Sequence, residues 1–284
     1  MAKPTRSLKA QNLFAVGTIH FVLVILSIIF LIPLLWMIST SLKTADKAVQ
    51  IPPEWIPNPL EKGNYWEALT SAPFFVYARN TLIVCLLTVT GTVFSNAVVA
   101  YSFARLKWPG RETAFKITIA TMMVPFPVLM VPLFEMFANF GWVGTFRPLW
   151  IPAWFAGAFN IFLMRQFFRG IPFELSEAAK IDGCSEWGIF VRVILPLAKP
   201  VLAVVALFSF MATWNDFLGP LLYLGSQDMF TLAIGLRDYH GQAGGTKWNL
   251  MMAASTAVVA PVIVLFFFTQ RLFIQGIAAT GLKG

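Results

Sequence analysis

Six long stretches without a charged side chain dominate this chain and decide what it can fold into. They lie at 10–42, 80–104, 117–134, 148–164, 200–215 and 248–270. A helix that crosses a bilayer needs about 20 mainly apolar residues, within a range of roughly 17–25. The runs at 10–42, 80–104 and 248–270 meet that length directly. The run at 117–134 extends past Glu135 towards Phe140, and the run at 148–164 sits at the lower limit. The run at 200–215 extends through Asp216 towards Leu224. Only 12% of the residues are charged, against roughly 25% in an average soluble domain. The chain therefore reads as an all-α integral membrane protein. Six transmembrane helices are expected at about 13–40, 78–104, 115–139, 148–169, 197–224 and 249–271. Residues 1–11 are a short basic tail, and 12–284 form one membrane domain.

The net charge of +8 would suit nucleic acid, but its distribution points elsewhere. With the N-terminus in the cytosol, fourteen of the 21 Lys and Arg fall in inner segments, among them Lys3, Arg6, Arg105, Lys107, Arg165, Arg169 and Lys180. This two-to-one bias fits the positive-inside rule. It places both termini in the cytosol and leaves membrane lipid, with no nucleic acid, as the surrounding partner. The first apolar run is longer than the roughly 7–15 residues of a signal-peptide core, and no small-residue cleavage site stands out. It reads as an uncleaved helix. Cys85 falls inside the second helix and Cys184 in a cytosolic loop, so topology separates them. No cysteine or histidine spacing suggests a metal, and no cofactor is expected.

The outer segment at about 41–79 carries Pro52, Pro53, Pro57 and Pro59, which oppose a continuous helix. Residues Tyr65 to Leu69 suit a short interfacial helix, because aromatic rings favour the membrane–water boundary. Pro125, Pro127 and Pro132 free backbone carbonyls in the third helix, and neighbours or a water-lined cavity must satisfy them.

The sharpest signal is the polar segment between helices four and five, at 170–196. Pro172 suits a first helical position, and Glu174 complements the positive end of that helix. Glu174, Glu177 and Lys180 are neighbours on one helical surface at three-residue spacing. Ala178 and Ala179 keep the next face small. Gly183 suits a helix end because it tolerates positive φ. A second short helix at about 185–191 precedes Pro196 and Pro200. The result is a small helix–turn–helix with a charged face. It either docks into a groove on a soluble partner or lies on lipid as an amphipathic loop.

Glu177-Ala178-Ala179, then Gly183, Val193 and Leu195-Pro196 at their spacing, resembles the EAA loop of ABC importer permeases. Val193 stands where the family usually has isoleucine, a conservative change. Tyr101-Ser102-Phe103-Ala104-Arg105-Leu106 before Pro109-Gly110-Arg111 resembles the carbohydrate branch, in particular its second, maltose-type permease subunit. So do Phe162 to Phe168, Trp214-Asn215-Asp216-Phe217, and the ending from Gln270-Arg271 to Lys283-Gly284. The resemblance implies an ABC transporter type-1 transmembrane domain in a bacterial inner membrane. It implies a homologous permease as heterodimer partner, two cytosolic ATPase subunits and an extracytoplasmic substrate-binding protein. The coupling residues it implies are Glu174, Glu177, Ala178, Ala179, Asp182, Gly183 and Pro196. Gly241 to Lys247 is glycine-rich but lacks the Gly-Lys pair of a phosphate-binding loop. ATP hydrolysis is therefore expected of a separate subunit, and this chain is not expected to be an enzyme.

Other residues carry two readings each. Asp216 is either near the substrate path or a structural hydrogen-bonded site with Trp214 and Asn215. Asn80, Asn96 and Asn160 either contact sugar hydroxyls or glue helices together. Met122-Met123-Val124-Pro125 either lines a cavity or packs in the core. In the outer loop at 225–247, Asp238, His240, Gly241, Gly244 and Gly245 either reach a docked binding protein or form a plain connector. An ion-driven transporter would show charges deep in several spans, and only Asp216 and Glu135 come near. An intramembrane enzyme would carry H-E-x-x-H or G-x-S-x-G, and neither occurs. The expected cargo is a sugar or oligosaccharide. Glycerol phosphate or another polar organic solute is the alternative, although an anionic cargo would favour cations inside the spans.

Overall fold

A computed structural model describes residues 6–239 and 246–281. The described residues form helices and loops, with no strand among them. The chain divides into two compact units, 1–71 with 239–258, and 72–238 with 259–284.

In the first unit, α1 (Arg6–Ser41) is exposed on every side from residue 15 to 33. An all-round apolar helix suits lipid. The proline-rich stretch that follows gives way to α2 (Gly63–Ser71), the short aromatic helix expected around 65–69. The buried Asn64 amide donates to the carbonyls of Ser41 (2.9 Å) and Lys43 (2.7 Å), which closes the end of α1.

The second unit is built on α3 (Phe74–Arg105), which has 32 residues and no internal proline. At 1.5 Å per residue it is about 48 Å long, well beyond a hydrocarbon core of about 30 Å. In place of one helix at 115–139 stand α4 (Arg111–Ala120), a 3₁₀ turn at Thr121–Met123 and α5 (Phe126–Asn139). The two arms bend by 97°. Pro125 explains the break: a residue before proline is driven out of the helical region, and Val124 is extended at φ −82°, ψ 114°.

The stretch expected as 148–169 is likewise divided, into α6 (Arg147–Trp150), a 3₁₀ turn at Ile151–Phe155 holding Pro152, and α7 (Ala158–Gly170). Ala156 sits at φ 60° and Gly157 is extended, so the chain reverses there. Next come α8 (Glu174–Ile181), α9 (Glu186–Ile189), a π turn at Phe190–Ile194 and α10 (Leu195–Leu197). This stretch meets α11 (Lys199–Trp214) at 78°. The helix expected to run to 224 stops at Trp214, and α12 (Leu218–Tyr223) follows after a break. α13 (Leu232–Gly235) and α14 (Trp248–Gly281) complete the described elements.

Among the described residues three helices, α1, α3 and α14, are long and apolar enough to cross a membrane, and up to five crossings result if each bent pair is one. The sixth expected crossing is the divided stretch at 147–170. Its helix α7 has 13 residues, about 20 Å.

Polar side chains of α3 satisfy what the breaks leave open. Thr88 Oγ1 donates to Leu149 O (3.4 Å) and Ser95 Oγ to Ala153 O (3.1 Å). Gly157 N donates to Asn96 Oδ1 at 2.8 Å. Such pairing is obligatory where water is absent. Gly91 leaves room for Trp154; a Cβ there would stand 2.4 Å from its ring. The adjoining core joins Ala97 and Ala100 of α3, Met164 and Phe168 of α7, Ile189, Phe190 and Ile194, and Val201 and Val205 of α11.

Candidate functional site

The polar stretch at 171–197 folds as two short helices around a tight turn. Gly183 adopts φ 80°, as its place after α8 requires. Cys184 N donates to Ala179 O (2.9 Å) and Gly183 N to Lys180 O (3.0 Å), which closes the helix end. Pro172 does not take the first helical position. Phe173 is the cap, and its carbonyl accepts from Ser176 N (2.9 Å) and Glu177 N (3.2 Å). Ser185 Oγ accepts from Gly188 N at 3.2 Å and caps α9. The second helix expected at 185–191 is thus α9 running into the π turn.

Glu174, Glu177, Ala178, Asp182, Gly183 and Pro196 are exposed, whereas Ala179 is 8% exposed and packs in the core. The two alanines therefore part, one outward and one inward. Phe173, Leu175, Ile181 and Trp187 are also exposed, Ile181 to 86%. Phe173, Leu175 and Ile181 thus stand exposed beside Glu174, Glu177 and Asp182.

The end of α3 grips this segment at two places, the entry to α8 and the first residue of α9. Arg105 is buried and donates to Ile171 O (2.8 Å) and Pro172 O (3.5 Å), with its guanidinium 5.1 Å from the Phe173 ring. One turn earlier, Tyr101 OH donates to Glu186 Oε2 (3.0 Å), and its ring lies 5.0 Å from Phe190. Glu186 also pairs with Lys180 across the Gly183 turn. The Lys180 hydrogen bond, aided by Tyr101 and opposed by burial, holds the Glu186 carboxyl below its ordinary value.

Arg165 of α7 braces the neighbouring corner. It is 3% exposed, lies 2.9 Å from both carboxylate oxygens of Glu112, 3.2 Å from Phe103 O and 3.8 Å from the Phe115 ring. The sequence alone assigns no role to Tyr101, Arg105, Glu112, Arg165 or Glu186. Arg105 and Arg165 count in the sequence only among the cations of the inner segments, each at the end of an uncharged run.

The expected pathway residues separate. Asn80 donates to Asp228 O (2.8 Å) and Phe230 O (3.0 Å). Asn96 serves Gly157 N and donates to Thr92 O at 2.7 Å. Both amides thus act on backbone. Asn160 is half-buried in the first turn of α7, and Met123 is 85% exposed. Trp214 is buried and stacks on Phe210 at 5.2 Å, while Asn215 donates to Met211 O at 2.7 Å. Asp216 lies in the break after α11, where its Oδ1 accepts from Gly219 N at 3.0 Å. It opens on a cavity of about 440 Å³ lined with Phe137, Trp142, Pro148 and Tyr223. Asn80, Asn96, Met123 and Asn160 do not line that cavity.

Of the expected binding-protein contacts, Asp238 falls in a 3₁₀ turn at Leu236–Tyr239. Its side chain lies outside the described residues, as do His240, Gly241, Gly244 and Gly245. Among the described residues no group of three His, Cys, Asp or Glu could hold a metal.

Residues 96–279 match the family described as binding-protein-dependent transport system inner membrane component. The arabinooligosaccharides transport system permease protein of Halalkalibacterium halodurans is 34% identical over 270 residues, covering 94% of this chain and 95% of its own length. The diacetylchitobiose uptake system permease protein of Streptomyces coelicolor is 33% identical over 255 residues, covering 89% and 84%. A solved bacterial ABC transporter involved in the import of the acidic polysaccharide alginate contains a similar chain. The two superpose with a TM-score of 0.80 at 23% identity, over 95% of this chain and 99% of the other.

Proposed function

Because the chain belongs to the family of binding-protein-dependent transport system inner membrane components, we propose that it is the permease subunit of an ATP-driven importer of a sugar or oligosaccharide. A homologous permease completes the translocation pathway, and one of two cytosolic ATPases docks on the segment at 171–197, the other on the partner permease. An extracytoplasmic binding protein delivers the cargo, with Asp238, His240, Gly241, Gly244 and Gly245 as its contacts on this chain. The membrane domain is 12–284, with six crossings. Of these 147–170 is the fourth, and both termini are cytosolic.

The observation that carries this reading is the segment itself. Two short helices, held from within by α3, expose Glu174, Glu177, Ala178 and Asp182 beside Phe173, Leu175 and Ile181. That surface suits a groove on a soluble partner better than a lipid face, which would gather the apolar side chains apart from the carboxylates. Relatives named for arabinooligosaccharides and diacetylchitobiose support the cargo class. Asp216 and the aromatic rings beside it suit sugars, since a carboxylate accepts hydrogen bonds from hydroxyls and rings stack on the apolar faces of sugars.

The test is the complex purified in lipid through a tag on this chain. ATPase subunits are expected to co-purify with the wild type, and Glu177→Lys or Gly183→Asp should release them or abolish sugar-stimulated hydrolysis. Full retention and full stimulation in both variants overturn the docking assignment.

A further inference from the structure

α3 ends in two polar anchors. At its cytosolic end, under the orientation proposed above, Arg105 holds the Ile171 carbonyl at the entry to the docking segment and Tyr101 holds Glu186 of α9. At its other end, Asn80 holds the carbonyls of Asp228 and Phe230, and Leu232 N donates to Thr81 Oγ1 at 2.9 Å. A Cβ on Gly235 would stand 2.3 Å from the Tyr77 ring, so α13 lies directly against the first turns of α3. Thr81 and Tyr101 are about 30 Å apart along the axis at 1.5 Å per residue.

The helix between them is continuous and free of proline. Its neighbours are not: the α4–α5 path bends by 97° and the path into α11 by 78°. Rigid secondary elements are among the structures that carry coupling between distant sites, and α3 is the unbroken one here. Along its length α3 also carries the bonds that fix the divided stretch at 149–157.

We propose that α3 is the strut that couples the ATPase docking segment to the outer segment at 228–235, with Tyr101 and Thr81 as its positioning residues. The strut rests on the reading of 171–197 as the docking segment. Events at the ATPases move α8 and α9, Tyr101 and Arg105 carry that movement into α3, and Thr81 and Asn80 deliver it to 228–235. Thermodynamic linkage requires the reverse influence as well.

The test is amide hydrogen exchange on the whole complex in lipid nanodiscs, with and without ATP plus orthovanadate, which acts only at the ATPases. In the wild type, exchange at 228–235 should change by about fivefold, the equivalent of one hydrogen bond made or lost. Tyr101→Phe and Thr81→Val each remove one hydroxyl and little volume. Both should weaken that ATP-dependent response, because Arg105 and Asn80 remain in place, and Thr81→Ser should keep it. A purely structural role of Tyr101 would alter exchange only near residues 101 and 186 and leave the ATP-dependent change at 228–235 at its wild-type size. The strut is overturned if 228–235 fails to respond in the wild type, or responds at full wild-type size in both variants. Release of ATPase by Glu177→Lys tests the docking assignment by itself, so a failure of the docking segment is distinguishable from a failure of the strut.

Discussion

Single residues hold the second unit together at places where the chain leaves helical geometry. Gly91 is one: its missing side chain is the space that Trp154 fills. Gly91→Ala should lower the midpoint of thermal unfolding in detergent, because overpacking against a rigid ring costs about 1–3 kcal/mol. An unchanged midpoint would mean that the indole can turn aside. Glu186 is another. Its carboxyl is held below the ordinary value of 4.5, chiefly by Lys180. A depressed carboxyl contributes stability that is complete above its unfolded value and fades as pH falls through the folded one. Protection of residues 180–190 against exchange, corrected for intrinsic rates, should hold down to pH 4.5 and decline below it; Glu186→Gln should remove that decline. Gly183 was legible in advance, because a glycine after a short helix answers a local requirement for positive φ. Arg105 was not, because its partner, the Ile171 carbonyl, lies 66 residues away, and no local pattern records such a contact.

At the scale of elements, α8 and α9 have 8 and 4 residues, far below the roughly 12–15 that an isolated helix needs. Their order comes from caps and from α3. Ser185→Ala should remove the α9 cap at a cost of about 1 kcal/mol. The measurable consequence is faster loss of ATPase subunits on dilution and gel filtration, with Ser185→Thr close to wild type; equal retention in the alanine variant would show that α3 alone suffices. Prolines at 125, 127 and 132 pointed to freed carbonyls within one third helix, and the structure divides that helix at Pro125 instead. They could not announce a bend of 97°, since the direction of the second arm depends on packing rather than on sequence period. The fourth stretch hid its division for a related reason. Its run at 148–164 is uncharged, with Pro152 and Gly157 as the local hints, and the break at Ala156 and Gly157 is held from outside by Asn96 on α3.

On the scale of the whole molecule, the reading is of a permease with its docking segment in the cytosol. The chain supplies its own probe of that orientation. Cys184 is half-buried in the docking turn, and Cys85 is buried within α3. A membrane-impermeant maleimide should label Cys184 in inside-out vesicles and not in right-side-out ones, and Cys85 in neither. Labelling of Cys184 from the outside would invert the topology. The most direct measurement of the central claim is uptake into proteoliposomes holding the complete complex, with its binding protein outside and ATP enclosed. Radiolabelled arabinooligosaccharide and diacetylchitobiose are the first two cargoes to offer, followed by a wider sugar panel. The expected result is accumulation of at least one sugar that requires ATP and ceases with Glu177→Lys. Sugar accumulation that follows an imposed ion gradient and persists without ATP would contradict it.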